Sequence, residues 1–369
     1  MKRSMTSLPL HYGRAPAWLF QKMKRLSASI MEIVVLEFGP EEFLARIADP
    51  LWFQALGCVV GFDWHSSGLT TTLCGALKEG LKDLGNDFPL AICGGKAKRA
   101  IGTPGELERY GDKWGIEVSR FIETSRLCAK IDNAAIQDGY NLYHHTFFFT
   151  RKGAWAIVQQ GMNETEKSAR RYQWLSKDNL DVMSDPHTGI TCNERGNVLN
   201  FAAGESLPSR NMVVDFVKEH PDTMTKTWRE IALAMPKRHY IIPSDVNEKR
   251  LSKILTVIHE SQPETFKDVL QIRGVGKRTV SALALVSEIV YKTPPSFKDP
   301  ARFSFAHGGK DGHPFPVDTK TYEQSIEFLK TCLDRARVGD REKLDAFKRL
   351  SRPSSFLPQI HADNCTDIR

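Results

Sequence analysis

The chain lacks the features that mark several classes of protein. Its seven cysteines are scattered through 369 residues, and no two are close enough to hold a zinc ion or to build a small disulfide scaffold. We interpret them as reduced thiols. The basic residues at positions 1–4 are not followed by an apolar run of signal-peptide length, and no uncharged apolar stretch approaches the roughly 20 residues that cross a bilayer. We therefore expect a soluble, cytoplasmic protein with no membrane partner.

The chain also has little excess charge. Lys and Arg number 51 against 44 for Asp and Glu, which gives a net charge of +7. Such a mild excess is compatible with a nucleic-acid partner but does not indicate one, so local clusters of charge must decide. A length of 369 residues favours two or three domains over a single one.

The pattern of apolar residues predicts an α+β fold. Apolar positions recur at helical spacing over 16–57, and 88–93 has the composition of a short buried strand that ends in two glycines. Two β-rich runs with a polar turn between them predict a β-hairpin near 142–160. We therefore predict a mixed α/β N-terminal domain over residues 1–175.

A second, helical domain is predicted further along the chain. Residues 176–210 are rich in Asn, Ser, Asp, Gly and Pro, which favours a polar connection between domains. Residues 211–345 have the pattern of an all-helical domain, and we expect a flexible C-terminal tail over 346–369.

The helical domain carries a helix-hairpin-helix signature. The spacing predicts helices over 264–270 and 279–291, with Gly274 and Gly276 in the turn between them and Val275 pointing inward. Glycine suits such a turn because it adopts backbone angles that a side chain forbids, and because bare amides can approach a phosphate oxygen. Three cations surround the turn: Arg273, Lys277 and Arg278.

This arrangement predicts DNA as the partner. Backbone amides and cations that contact phosphates bind without strong sequence preference, and such binding weakens as salt rises. The alternative is that the Gly-Val-Gly turn only joins two packed helices. In that case the polar residues around the turn have only a structural role, and the protein does not bind DNA through this segment.

Two segments of the N-terminal domain are further candidates for binding an anion. Asp63 and His65 precede a run of hydroxyl residues at the predicted start of a helix, where a phosphate is favoured. An ordinary Ser/Thr helix cap beside a core histidine is the alternative. Gly94 and Gly95 precede a group of cations, Lys96, Lys98 and Arg99, which suits a DNA phosphate and equally suits a solvated loop.

A third group of polar residues surrounds the predicted hairpin. Arg170 and Arg171 lie next to aromatic residues, which suits a phosphate and a stacked base, or a protein interface. Asp132 precedes the hairpin, and an acid there is compatible with a divalent metal for nuclease chemistry, although no cofactor is certain. His144 and His145 are adjacent on a strand and point to opposite faces, so they do not bind one metal together.

The C-terminal region resembles the helix-hairpin-helix DNA glycosylases. In that family the hairpin is followed by a valine-aspartate-threonine motif, and here Asp318 stands between Val317 and Thr319. The resemblance implies that Asp318 is the catalytic carboxylate of base excision, acting on a nucleotide flipped from the stack. His307 and His313 lie in an apparent insertion before this motif and are further catalytic candidates. Alternatively, Asp318 caps the helix that follows it.

Nearly the whole chain resembles a prokaryotic family known as domain of unknown function 763. The motifs that carry the resemblance are Leu8-Pro9-Leu10-His11, Gly61-Phe62-Asp63-Trp64-His65-Ser66-Ser67-Gly68, Gln137-Asp138-Gly139-Tyr140, Gln159-Gln160-Gly161-Met162-Asn163 and Ser304-Phe305-Ala306-His307-Gly308-Gly309. The resemblance implies no particular activity. Two hypotheses therefore compete: an enzyme of DNA repair or processing, with glycosylase-like or phosphodiester-hydrolysing chemistry, and a non-catalytic DNA-binding protein.

Overall fold

The fold is that of a computed structural model, which describes residues 16–61, 67–177, 180–192, 195–234, 246–301, 319–336 and 338–350. Its first layer consists of four helices. They are α1 (Ala17–Phe38), α2 (Pro40–Ala48), α3 (Pro50–Val59) and α4 (Gly68–Leu81). The carboxylate of Asp49 caps α3 by accepting hydrogen bonds from the amides of Leu51 and Trp52, both at 2.8 Å. The helices predicted from apolar spacing over 16–57 are thus confirmed.

Within the described residues, eight strands form two antiparallel sheets. In chain order they are β1 (Leu90–Lys96), β2 (Ile136–Gln137), β3 (Asn141–Thr150), β4 (Trp155–Asn163), β5 (Ser168–Leu175), β6 (Gly189–Thr191), β7 (Asn197–Asn200) and β8 (Ser296–Lys298). The larger sheet has the order β1-β3-β4-β5-β6, and the smaller has the order β2-β7-β8. Strands β3 and β4 form the predicted hairpin, with Phe149 paired to Trp155.

The described helices between residues 98 and 289 come next, and all but the first share an apolar core with the second face of the large sheet. They are α5 (Lys98–Ile101), α6 (Thr103–Trp114), α7 (Ser119–Lys130), α8 (Leu207–Phe216), α9 (Pro221–Ala234), α10 (Glu248–Ser261), α11 (Phe266–Gln271) and α12 (Lys277–Ile289). One apolar core joins Phe147 of the sheet, Cys128 of α7, Val213 of α8 and Val280 of α12. The sheet is therefore packed on both faces, as its buried alternating side chains require.

The last two helices return to the first layer. Helix α13 (Thr319–Arg335) contacts α1 and α3, and α14 (Asp340–Leu350) contacts α3. Leu329, Cys332 and Ala346 are buried in the same core as Trp52. The predicted helical domain over 211–345 therefore needs correction, because α13 packs with the N-terminal helices and not with α8–α12.

The fold is α+β, as predicted, but the predicted division into an N-terminal domain, a connection, a helical domain and a tail does not match the observed packing. Residues 176–210 contain β6, β7 and the start of α8, so this segment is not only a polar connection. The region 211–345 is not wholly helical, because β8 lies within it and pairs with β7. Ala346, within the predicted tail 346–369, is buried in α14, and residues 351–369 lie outside the described residues. Among the described helices, none is long and apolar enough to span a membrane.

Candidate nucleic-acid interface

The predicted hairpin is present between α11 and α12. Thr265 and Asp268 form a capping box that starts α11, because each side chain bonds to the other's backbone amide. The amide of Val275 then donates to the carbonyl of Ile272 at 3.2 Å, which closes a tight turn. Gly274 occupies its third position with φ +98°, as type II turns require. The conformational argument for glycine therefore holds at this position.

Gly276 needs another explanation. Its backbone is extended, with φ −151° and ψ −170°, a conformation open to any residue. A Cβ added there would meet no described atom within 4 Å. Gly276 stands immediately before α12, whose first amides have no acceptor within the helix. Neither backbone strain nor packing within the chain demands a glycine here, which corrects the prediction that both glycines serve the turn's angles.

Two carbonyl groups of the turn are bound by a lysine of α7. Val275 is 2% exposed and packs into the core, as predicted. The ammonium group of Lys130, at the end of α7, donates to the carbonyls of Val275 and Ile272. Burial lowers the pKa of Lys130. Two acceptors of the turn are therefore already satisfied by a cation of the protein itself.

Lys277 holds the hairpin against the N-terminal half of the chain. Its ammonium group donates to the side-chain oxygen of Asn141 at 2.8 Å and to the carbonyl of Tyr140 at 3.2 Å. Its own carbonyl accepts from the side-chain amide of Gln137 at 2.9 Å, and Gln137 also accepts from the hydroxyl of Ser281 at 2.7 Å. Burial lowers the pKa of Lys277. Lys277 was predicted as a phosphate contact, but its ammonium group is bound within the protein and docks α12 against the start of β3.

A cavity of about 230 Å³ lies between the start of α10 and the start of α12. Asn247 caps α10, accepting from the amide of Arg250 at 2.9 Å. Three cations line the cavity, Arg250, Lys277 and Arg278, and among its described lining residues there is no carboxylate. Two helix N-termini, each with a partial positive charge, thus meet around one cation-rich cavity. Arg250, Arg278 and the neighbouring Arg273 are exposed to solvent.

Arg170 does not form part of an exposed surface, contrary to its prediction as a DNA contact. It is 2% exposed, and its guanidinium group donates to the carboxylates of Asp138 at 3.0 Å and Asp299 at 2.8 Å. The hydroxyl of Tyr172 also donates to Asp138, at 2.6 Å. Burial raises the pKa of Asp138, while the charge of Arg170 opposes that rise. Arg170 therefore ties β5 to the segments that follow β2 and β8.

Arg171 is buried on the other face of the sheet, so it too lies away from the exposed surface that its predicted DNA contact requires. It is 3% exposed, it donates to the side-chain oxygen of Gln54 at 3.0 Å, and it lies 4.6 Å from the ring of Phe53. Burial lowers the pKa of Arg171 to about 9. Consecutive residues of a strand point to opposite faces, so the two arginines join different layers.

The polar residues near the hairpin β3–β4 form a closed network and not an open cleft. Asp132 is fully buried and accepts from Gln159 at 2.5 Å, Trp174 at 2.9 Å and His187 at 2.6 Å. His145 bonds to the side-chain oxygen of Gln159 at 2.9 Å. Because the amide nitrogen of Gln159 donates to Asp132, its oxygen accepts from His145. Among the described residues, no group of three His, Cys, Asp or Glu side chains is placed to hold a metal ion.

Ser67, next to the first anion candidate, and Lys96 of the second both lie near Tyr143. The carbonyl of Ser67, just before α4, accepts from the side-chain amide of Gln160 at 2.8 Å, and the same amide donates to the hydroxyl of Tyr143 at 2.5 Å. The ammonium group of Lys96 lies 5.7 Å from the ring of Tyr143. Lys96, Lys98 and Arg99 are exposed.

The five predicted catalytic residues lie outside the described residues: Asp63, His65, His307, His313 and Asp318. Two residues of the interface were missed by the sequence reasoning. Arg250 has no local signal, because its place beside the hairpin depends on the packing of α10. Lys130 belongs to a polar helix face that the sequence does show, but its contact with the turn joins positions 145 residues apart.

Comparison with known proteins gives one match. The profile of the family described as Protein of unknown function (DUF763) matches residues 4–317. No curated protein and no solved structure matches the chain. The resemblance to helix-hairpin-helix DNA glycosylases thus has no support from these comparisons, and an assignment of function has to rest on the geometry of the site.

Proposed function

We propose that this chain, which belongs to the family described as Protein of unknown function (DUF763), binds the phosphate backbone of DNA. The binding surface consists of residues 272–279, which comprise the turn and the start of α12, and of the cavity beside them. The observation that carries the proposal is Gly276. The protein itself leaves open space where a Cβ would be, so the glycine is best explained by a partner that approaches the amides at the start of α12. Glycine is also an acceptable helix cap, and the experiments below separate the two explanations.

The charges around Gly276 favour a polyanion over a single small anion. Exposed Arg250 of α10 and Arg278 of α12 line the cavity, and exposed Arg273 lies in the turn, next to the lining residue Gly274. The repeated phosphates of one DNA backbone offer a partner to each of these cations. The contacts available are amides and guanidinium groups, which position a backbone and do not distinguish bases. Binding is therefore expected to be largely independent of sequence.

The proposal is tested with the full chain and a labelled DNA duplex over a series of salt concentrations. The logarithm of the affinity should fall linearly with the logarithm of the salt concentration. In the double variant Arg273→Ala/Arg278→Ala, two phosphate contacts are lost and the slope should become shallower by about 1.8, since each contact contributes about 0.9. Thermal unfolding should remain unchanged, because both side chains are exposed.

A matched control is available at the far end of the large sheet. Arg151 and Lys152 lie in the exposed turn between β3 and β4. The variant Arg151→Ala/Lys152→Ala removes the same charge and should keep the wild-type slope. Equal losses in the two variants would indicate a general effect of charge and would refute the assignment of the hairpin. An undetectable affinity of the wild-type chain at low salt would refute DNA binding itself.

Catalysis on DNA stays a prediction. It rests on the Val-Asp-Thr motif at Asp318, which lies outside the described residues, so no observed contact supports it. If an activity on damaged or intact DNA is found, Asp318→Asn should abolish turnover and leave affinity almost unchanged, because the amide keeps the shape of the carboxylate without its charge. An active and stable Asp318→Asn protein would exclude the glycosylase-like mechanism.

A further inference from the structure

The hairpin and the basic segment 96–99 lie at the same end of the large sheet. We infer that DNA bound at the hairpin continues across the start of β3 and contacts Lys98 and Arg99, so that the interface has two separate basic parts. The inference rests on the proposed function and extends it to a second surface. The evidence is that the hairpin and the basic segment 96–99 are both hydrogen-bonded to one stretch of β3, Asn141 to Tyr143.

The hairpin is fixed to the first of these residues. The ammonium group of Lys277 lies 2.8 Å from the side-chain oxygen of Asn141, and Asn141 itself is exposed. Arg278 follows Lys277 and is exposed as well. The start of α12 and its outward-facing arginine therefore lie next to the first residue of β3.

The basic segment is fixed to the third of these residues. The amide of Ala97 donates to the carbonyl of Tyr143 at 2.8 Å, and Lys96 is paired with His144 in the sheet. Asn141 and Tyr143 are two residues apart on a strand, which corresponds to roughly 7 Å. Phosphates of one DNA strand follow each other at about 3.4 Å along the helix axis. The points at which the two basic parts are fixed to β3 are thus separated by a distance that corresponds to only a few phosphates.

The distribution of charged residues near the start of β3 indicates in which direction the bound DNA continues. Strand β3 lies between β1 and β4 in the sheet. The turn after β4 has a net negative charge, with exposed Glu164 and Glu166 against one exposed cation, Lys167, at the same end of the sheet as Asn141. The end of β1 instead leads into Lys98 and Arg99, which are exposed. A polyanion that reaches Asn141 from the hairpin is therefore attracted toward β1 and repelled from the β4 side.

The variant Lys98→Ala/Arg99→Ala tests the inference in the full chain. We expect its salt dependence of duplex binding to be shallower than that of the wild type by about 1.8 in slope, as for the loss of two phosphate contacts. The control Arg151→Ala/Lys152→Ala removes two exposed cations from the opposite end of β3 and should keep the wild-type slope. Melting temperatures establish that each variant is folded.

The outcomes separate this inference from the proposed function. If Arg273→Ala/Arg278→Ala lowers the slope and Lys98→Ala/Arg99→Ala does not, the hairpin binds DNA and the second surface is refuted. If both basic pairs lower the slope and the control pair does not, the two-part interface is supported. Equal effects of all three pairs refute it, and a wild-type chain that does not bind duplex DNA refutes both proposals.

Discussion

Two regions of this molecule are rich in cations, and they use them in different ways. In the interior of the large sheet, Arg170 and Arg171 are at most 3% exposed and bond to carboxylate and amide oxygens of the chain itself. Around the cavity beside the hairpin, Arg250, Arg273 and Arg278 are exposed, and no carboxylate is present among the described residues that line the cavity. In the sequence both regions look like nucleic-acid contacts.

Burial is what distinguishes them. A charge taken out of water needs a partner within the protein, so the buried arginines are committed to the fold. Exposed cations beside two helix N-termini keep their capacity to bind an external anion. The comparison predicts that substitutions in the sheet change stability, whereas substitutions at the hairpin change binding. Each experiment below tests one side of that division.

The largest expected effect is on stability, from Arg170→Ala. Removal of the guanidinium group leaves the carboxylates of Asp138 and Asp299 buried without their cation. Loss of one partner from a buried ion pair typically costs about 3–5 kcal/mol of unfolding free energy. Denaturant unfolding measures this cost, with Arg278→Ala as the exposed control, for which we expect a change within about 0.5 kcal/mol. An Arg170→Ala protein of normal stability but weakened DNA affinity would reverse the assignment.

A smaller effect is expected from the pH dependence of stability. Burial lowers the pKa of His144 to about 3, whereas an unfolded histidine titrates near 6.5. As the pH falls below about 6.5, the unfolded chain therefore takes up a proton that the folded chain refuses, and stability decreases. Between pH 7 and pH 5 the wild type should lose about 2 kcal/mol more than His144→Gln. Denaturant unfolding at the two pH values gives this difference.

Exposed His220 provides the control for this measurement. The variant His220→Gln should show the same pH dependence as the wild type, because this exposed substitution leaves the buried His144 in place. If His144→Gln retains the full wild-type decrease, His144 is not held neutral in the folded protein.

Substitution of the two glycines of the hairpin should change the free energy of unfolding by smaller and unequal amounts. Gly274 has φ +98°, and Gly274→Ala should cost roughly 1–2 kcal/mol because a Cβ is unfavourable there. The added carbon would lie 3.6 Å from Ile254, an ordinary contact, so the cost is conformational and not a clash. Gly276→Ala should cost only a few tenths to about 1 kcal/mol, because the backbone is extended and the space is open. Equal destabilisation would show that both glycines serve the fold.

Local patterns predicted much of the structure and part of the site. The β-hairpin β3–β4, the inward Val275 and the buried faces of α11 and α12 all follow from spacing between near neighbours. Gly274 was predicted for the right reason, since a tight turn between helices often requires positive φ. These features depend on a few consecutive residues, which is why the sequence shows them.

Features that depend on distant contacts were not predictable in this way. Arg170 meets Asp299 across 129 positions, and Lys130 meets the turn across 145, so neither the burial of the first nor the role of the second has a local signal. The packing of α13 against α3 is also long-range. The cations next to aromatic residues on β5 were misleading, because a strand that is covered on both faces buries its cations as well as its apolar residues.

The affinity of Gly276→Ala for duplex DNA tests the central claim most directly. If the glycine exists to let a phosphate reach the start of α12, a methyl group there should weaken binding by roughly tenfold, about 1.4 kcal/mol, in a protein that remains folded. Gly105→Ala is the matched control, because a Cβ at Gly105 also meets open space, and its affinity should equal that of the wild type. Wild-type affinity in Gly276→Ala would contradict the account and leave Gly276 as an ordinary helix cap.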